Sequence, residues 1–276
     1  MKNFYIIFAL LLMFGGCKKG EPAQASPESA RNDLILRGYE FTEKSFLNAV
    51  KGGDLRGVNA FIIAGININA KSPEDDNALA FAIAKNDEKI VQALIEGKAD
   101  VNIPDKSGNV PLIQAINKND DKIIEQLLEA NANVNASSRD GRTVLMVAID
   151  SQKNDVATHL LERGANANAA NADGNTALIS ASVIGNAELT AELIRRGANV
   201  NQQVKSGGTA LIYAAANNHQ TVVRELLTAG AKLDLKDGKG RTALDWAKTG
   251  KHAEVIGMLE DDDDNTRGDA MKRPRD

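Results

Sequence analysis

Residues 173–201 read DGNTALISASVIGNAELTAELIRRGANVN, and sliding the chain against itself by 33 residues brings nearly the same phrase back. The shift aligns Leu79, Leu112, Leu145, Leu178, Leu211 and Leu244, with Phe46 one step earlier. Three residues later it aligns Ala49, Ala82, Ala115, Ala148, Ala181, Ala214 and Ala247. A second apolar pair keeps the same period, from Phe61-Ile62 and Leu94-Ile95 through Leu193-Ile194 and Leu226-Leu227 to Leu259. Residues three apart share one face of a short helix, and the later pair marks the inner face of a second helix. Alanine recurring in every first helix means that neighbouring helices approach closely there, because a larger side chain would force them apart.

Punctuation follows the same period. Gly108, Gly141, Gly174, Gly207 and Gly240 stand four residues before the leucine, where a tight turn needs positive φ; Asp75 takes that place in the earliest full unit. Gly65, Gly164, Gly197 and Gly230 occupy the helix stop, with Asn131 as a left-handed substitute. Lys98 breaks this column, and Gly97 one residue earlier predicts a shifted cap. Thr176, Thr209 and Thr242 open their helices, whereas Asn77 and Val110 depart from threonine. Polar residues Asn69, Asn102, Asn135, Asn168, Asn201 and Asp234 close successive units. The first two full units are the less regular end and are expected to fray first.

A 33-residue period with Thr-Ala-Leu opening a helix resembles the ankyrin repeat, over about residues 38–260. The resemblance implies an all-α ankyrin-repeat solenoid of about seven helix-turn-helix units, two of them capping units, with short β-turn or hairpin tips. No unit can bury its apolar face alone, so the end units are atypical. The opening unit, residues 38–69, lacks the turn signature, and the closing unit, residues 236–260, lacks the final Gly-Ala-Asn run.

The N-terminus reads as an address. Lys2 supplies a positive start, Phe4 to Phe14 an apolar stretch and Gly15-Gly16 small residues before a cut, as in a secretory signal spanning residues 1–16. The segment Met13-Phe14-Gly15-Gly16-Cys17 resembles the lipobox of bacterial lipoproteins, although Phe14 stands where that family most often has leucine. The resemblance implies acyl chains on Cys17; the plain alternative is a small chance cysteine near an uncleaved apolar end. Each buried methylene contributes roughly 0.8 kcal/mol, so several acyl chains would hold a folded domain to a membrane stably. Lys18, not aspartate, follows the cysteine, which by the enterobacterial sorting rule points to the outer membrane, facing the periplasm or the cell surface. Residues 17–37, with Pro22 and Pro27, read as a lipidated N-terminus and flexible tether, and residues 261–276 as a disordered charged tail. That tail carries Arg267-Gly268-Asp269, which resembles an integrin-binding tripeptide.

Composition narrows the function. The chain has 276 residues, is 43% hydrophobic and 25% charged, and has a net charge of −4. That balance lacks the basic excess of a nucleic-acid binder. The apolar run Phe4 to Gly16 is shorter than the roughly 20 residues that a spanning helix needs. One cysteine excludes a disulfide scaffold. No phosphate loop, zinc spacing or nucleophile elbow appears, so neither an enzyme nor a cofactor, metal or small-molecule substrate is expected. His219 and His252 lie 33 residues apart and so occupy one place in consecutive units. In ankyrin units a histidine there bonds backbone, while His159 on a second helix is expected to face solvent.

Surface is what remains. In its relatives such a stack binds proteins on a concave face of turn tips and first helices. Here the tips hold Asn109 and Asn175 and seven basic side chains, Lys106, Arg139, Arg142, Lys205, Lys236, Lys239 and Arg241, against four acidic ones, Asp105, Asp140, Asp173 and Asp237. The second helices are richer in glutamate, so the concave side suits an acidic protein partner, unless these charges serve only solvation. Phe81, Tyr213 and Trp246 follow the anchor residues by two; the family resemblance implies packing between helices, while Tyr213 also fits an interface anchor. Two functions follow: an envelope-tethered interaction scaffold, or a surface adhesin or host-interaction factor for which the tail tripeptide is the one hint.

Overall fold

The computed structural model describes residues 26–271, with side chains to residue 262; residues 1–16, expected to be a signal segment, and Cys17 lie outside the described residues. Fifteen helices occupy them, and the predicted hairpin tips reduce to isolated bridges at Lys71–Asn77, Ser137–Thr143 and Ala170–Thr176. After one leading helix the remaining fourteen form successive pairs at the 33-residue period. The described chain divides into two compact units, residues 26–100 and residues 101–271.

The first unit holds α1 (Pro27–Leu36), α2 (Glu43–Gly52), α3 (Leu55–Ile63), α4 (Ala78–Ala84) and α5 (Glu88–Glu96). α2 packs on α3 and α4 on α5, and each pair stacks on the other through α2 on α4 and α3 on α5. α1 lies on α3. The Ser26 hydroxyl accepts from the Ser29 N–H, Pro27 opens the helix, and Ala30 and Leu34 are buried. Beneath them Phe61 meets the rings of Tyr39, Phe46 and Phe41 at 5.6, 5.7 and 6.1 Å, and the Arg31 guanidinium lies 4.6 Å over Phe41.

This corrects the tether expected over residues 17–37, because residues 27–36 are a helix. Its apolar stripe is only Ala30 and Leu34, too short to show as periodicity, and the face it covers lies across the chain on α3. Pro27, read as a loop signal, is the first helical residue, where its missing N–H costs nothing.

The second unit contains α6 (Pro111–Lys118), α7 (Asp121–Glu129), α8 (Val144–Asp150), α9 (Asn154–Glu162), α10 (Ala177–Ile184) and α11 (Ala187–Arg195). It continues with α12 (Ala210–Ala216), α13 (Gln220–Thr228), α14 (Ala243–Gly250) and α15 (Ala253–Met271). First helices stack in the series α6, α8, α10, α12, α14, and second helices α9, α11, α13 and α15 likewise. α15 runs through Asp261–Asp264 to Met271, correcting the disordered tail expected from residue 261. Val255 and Leu259 seat its first turns, and once a helix is nucleated each further residue extends it without a new nucleus.

In both units every member of the alanine column is 0% exposed. From Phe46 to Leu211 the leucine column is at most 2% exposed, while Leu244, in the last pair, is only half-buried. The side chains of Thr42, Asn77, Thr143, Thr176, Thr209 and Thr242 cap their helices, each accepting the N–H three residues on. Val110 offers no such cap, and α6 starts instead on Pro111. At the irregular helix stop Lys98 itself takes φ +70°, so the expected shift to Gly97 does not occur. Gly97 serves close approach: a Cβ there would stand 2.8 Å from Ile68 Cδ1 and 2.9 Å from Ile62 Cγ2.

Candidate functional site: the tip loops and the Tyr213–Trp246 groove

The tips are held in place by bonds that cross from one repeat to the next. The Asn69 side-chain carbonyl accepts from the Asp100 N–H at 2.9 Å in the first unit. In the second, Asn102, Asn135, Asn168 and Asn201 accept in the same way from Asn133, Asn166, Asn199 and Lys232, at 2.7–2.8 Å. The Asn135, Asn168 and Asn201 amides also donate to the carbonyls of Gly164, Gly197 and Gly230. Punctuation in the sequence, these asparagines form in the fold a ladder that ties each unit to its neighbour.

Within each tip a second device recurs. Asp105, Asn171 and Asp237 each accept backbone N–H groups two and four residues on, at 2.8–2.9 Å. These residues stand in every second unit, 66 residues apart, with Ser138 and Val204 at the places between, so the sequence period carries the device only in part. Arg139 Nη2 donates to the Lys106 carbonyl, Lys205 N–H to the Asp173 carbonyl and Gly238 N–H to the Ser206 carbonyl, so adjoining tips are laced together. The tips are therefore preorganised before any partner arrives.

The proposed contact residues do not gather at one place. Lys106 and Arg139 meet where two adjoining tips touch. Asn109 and Asn175 commit backbone groups to their own tip turns. Arg142 pairs with Asp150, and Lys205 stands 3.7 Å from Asp173 with both side chains open to solvent, a pair of little strength. Tyr213, Lys239 and Arg241 do converge, on the last two repeats.

There a groove of about 520 Å³ is lined by Ile212, Tyr213, Ala216 and Trp246, with Ser206, Gly208, Asn217, Asp237, Gly238 and Lys239 around it. Trp246 is the chain's one tryptophan and is half-buried. The Arg241 guanidinium lies 3.6 Å over its ring, and its Nε1 donates to Asp237 Oδ2 at 3.0 Å. Arg241 Nε and Nη2 donate to the same oxygen at 3.2 and 3.1 Å. Bonds from the Arg241 and Lys239 backbones, with help from Trp246 and the Arg241 side chain, lower the Asp237 pKa from 3.8 to about 2. Asp237 is thus charged but fully engaged. Tyr213 lies close under Gly208, where a Cβ would stand 2.7 Å from the phenol oxygen. Trp246, expected to pack between helices, is half-buried, carries Arg241 over its ring and lines the groove.

A larger cavity, about 650 Å³, opens between α7 and α9 on the second-helix side. Its cations are engaged internally: Lys153 reaches Asp121 at 2.7 Å and Arg163 donates to the Leu128 carbonyl at 2.7 Å. His219 and His252 bond the carbonyls of Val183 and Ala216 at 3.0 and 3.1 Å, the backbone role expected of them. Among the described residues no three His, Cys, Asp or Glu side chains come together as a metal site, and no helix is long and apolar enough to cross a membrane.

The comparisons agree with this architecture. The family model of ankyrin repeats (3 copies) matches residues 46–138, 119–204 and 178–269, and this chain belongs to the ankyrin repeat family. Among solved structures, the ankyrin repeat domain of Bcl-3, a unique member of the IkappaB protein family, is 26% identical with a TM-score of 0.66. The match covers 78% of this chain and 97% of that one. No curated protein matches the chain. Ankyrin repeats generally mediate protein–protein interaction, and the fold is a protein-interaction fold rather than a typical enzyme fold.

Proposed function

We propose that this protein is a non-catalytic interaction scaffold, tethered to a bacterial cell envelope by a lipidated Cys17, that captures a protein partner on its tip loops and first helices. The observation that carries the binding half is the set of laced tips beside the Tyr213–Trp246 groove, a rigid surface whose aromatic side chains are of the type that anchors interfaces. The tethering half rests on the lipobox-like Met13–Cys17 segment, and Lys18 favours the outer membrane. The basic surplus on the tips is smaller than the sequence suggests, since Arg142 and Arg241 are paired with carboxylates; an acidic partner is best served by Arg139 and Lys239. The adhesin reading gains nothing: Arg267-Gly268-Asp269 lies within α15, not in a disordered tail.

Two measurements test the proposal. Metabolic labelling with a fatty acid should mark the wild-type chain and not Cys17→Ala, with membrane retention lost; unchanged retention in that variant would refute the tether. Crosslinking in intact cells should trap a protein partner through tip-loop positions of the second unit, and crosslinks confined to second helices would place binding elsewhere.

A further inference from the structure

We infer that the groove of the last two repeats is a specific peptide pocket: it takes an extended acidic segment whose apolar side chain enters between Tyr213 and Trp246 while a neighbouring carboxylate meets Lys239. This deepens the scaffold reading and rests on it.

The groove supplies one apolar floor and one ionic demand. Ile212 is buried, and with Ala216 and the two aromatic rings it forms a surface wide enough for a large side chain. Two charged side chains line the groove, Asp237 and Lys239. Asp237 already accepts from Arg241, Trp246 and the Lys239 and Arg241 N–H groups, so it neither needs nor offers a counter-ion. Lys239 fixes its backbone on Asp237, yet its ammonium forms no ion pair within the described residues. The Tyr213 hydroxyl also makes no hydrogen bond among the described residues, although the ring is half-buried. A free cation and a free phenol at the rim of an apolar trough therefore ask for a carboxylate beside an apolar residue. A basic segment would meet Lys239 as a like charge. A wholly apolar one would cover the half-buried phenol without a partner and gain nothing from Lys239.

The test uses the full chain. A tryptophan-free random-peptide library is panned on wild type and on Lys239→Glu, and the enriched peptides are titrated while Trp246 emission is followed. Support would be peptides pairing an aromatic or branched apolar residue with Asp or Glu and shifting Trp246 emission. They should lose about fivefold in affinity on Lys239→Gln, the size expected of a partly screened ion pair. On Lys239→Glu the selection should turn towards Lys and Arg. Tyr213→Phe, which removes the hydroxyl and keeps the ring, should weaken binding less than Tyr213→Ala, with unchanged circular dichroism confirming the fold of each. Peptides that bind without shifting Trp246 emission, or ignore the Lys239 substitutions, would overturn the pocket and leave the scaffold standing. A chain that enriches no peptide would overturn the pocket, while the scaffold stands or falls by the crosslinking in intact cells.

Discussion

Around Asp237, two carboxylate oxygens accept five hydrogen bonds from Lys239, Arg241 and Trp246, and so one side chain sets both the tip turn and the tryptophan ring beside it. Because its pKa falls on folding from 3.8 to about 2, its contribution is complete above the unfolded value and is lost as pH drops from about 4 through about 2. Trp246 emission should therefore shift in that acidic window in wild type, while Asp237→Asn should show a red-shifted emission at neutral pH and no such transition. An emission indifferent to the substitution would separate the carboxylate from the ring. At the other end of the second unit Val110 leaves α6 without the side-chain cap its counterparts have. Val110→Thr should raise stability by about 1 kcal/mol in urea denaturation. These positions divide what was legible. Threonine caps and turn glycines follow from local backbone demands and could be read directly. Lys98 could not: the left-handed place keeps its register there although a lysine fills it, and the close approach of Ile62 and Ile68 that reserves Gly97 for another purpose is a contact that only folding brings about.

Helices in this chain are short, seven to ten residues apart from α15, and helices of that length are marginal alone in water. Their stability comes from the stacked columns, above all the fully buried alanines. Ala148→Leu, which adds three carbons where α8 meets its neighbours, should cost about 1–3 kcal/mol by denaturant titration, whereas Ala169→Leu, off the column, should cost far less. Equal costs would mean that the column is not where helices approach. The repeat period exposed these columns without ambiguity. It hid α1, whose partner is not a copy of itself, and the end of α15, whose aspartates look like coil when composition is read without the helix that precedes them.

For the molecule as a whole, the 33-residue register predicts modular stability. Deleting residues 143–175 joins Arg142 to Thr176 in phase, and the shortened chain should still unfold cooperatively, with a smaller denaturant dependence in line with the surface removed. Loss of all helical signal would deny that neighbours alone sustain each unit. The candidate site was only partly legible at this scale. Tyr213, Lys239 and Arg241 were found from their column positions, but Asp237's part in holding the groove and the asparagine ladder depend on partners 9 to 31 residues away.

The docking of α1 on α3 also sets a distance. Were Cys17 acylated, Lys18 to Ser26 would be the whole leash, nine residues that fully extended reach about 30 Å. A leash that short keeps the first repeats within a protein diameter of the lipid surface, and α1, presenting Ile35 and Leu36 outward, would be the part of the fold that meets the headgroups first.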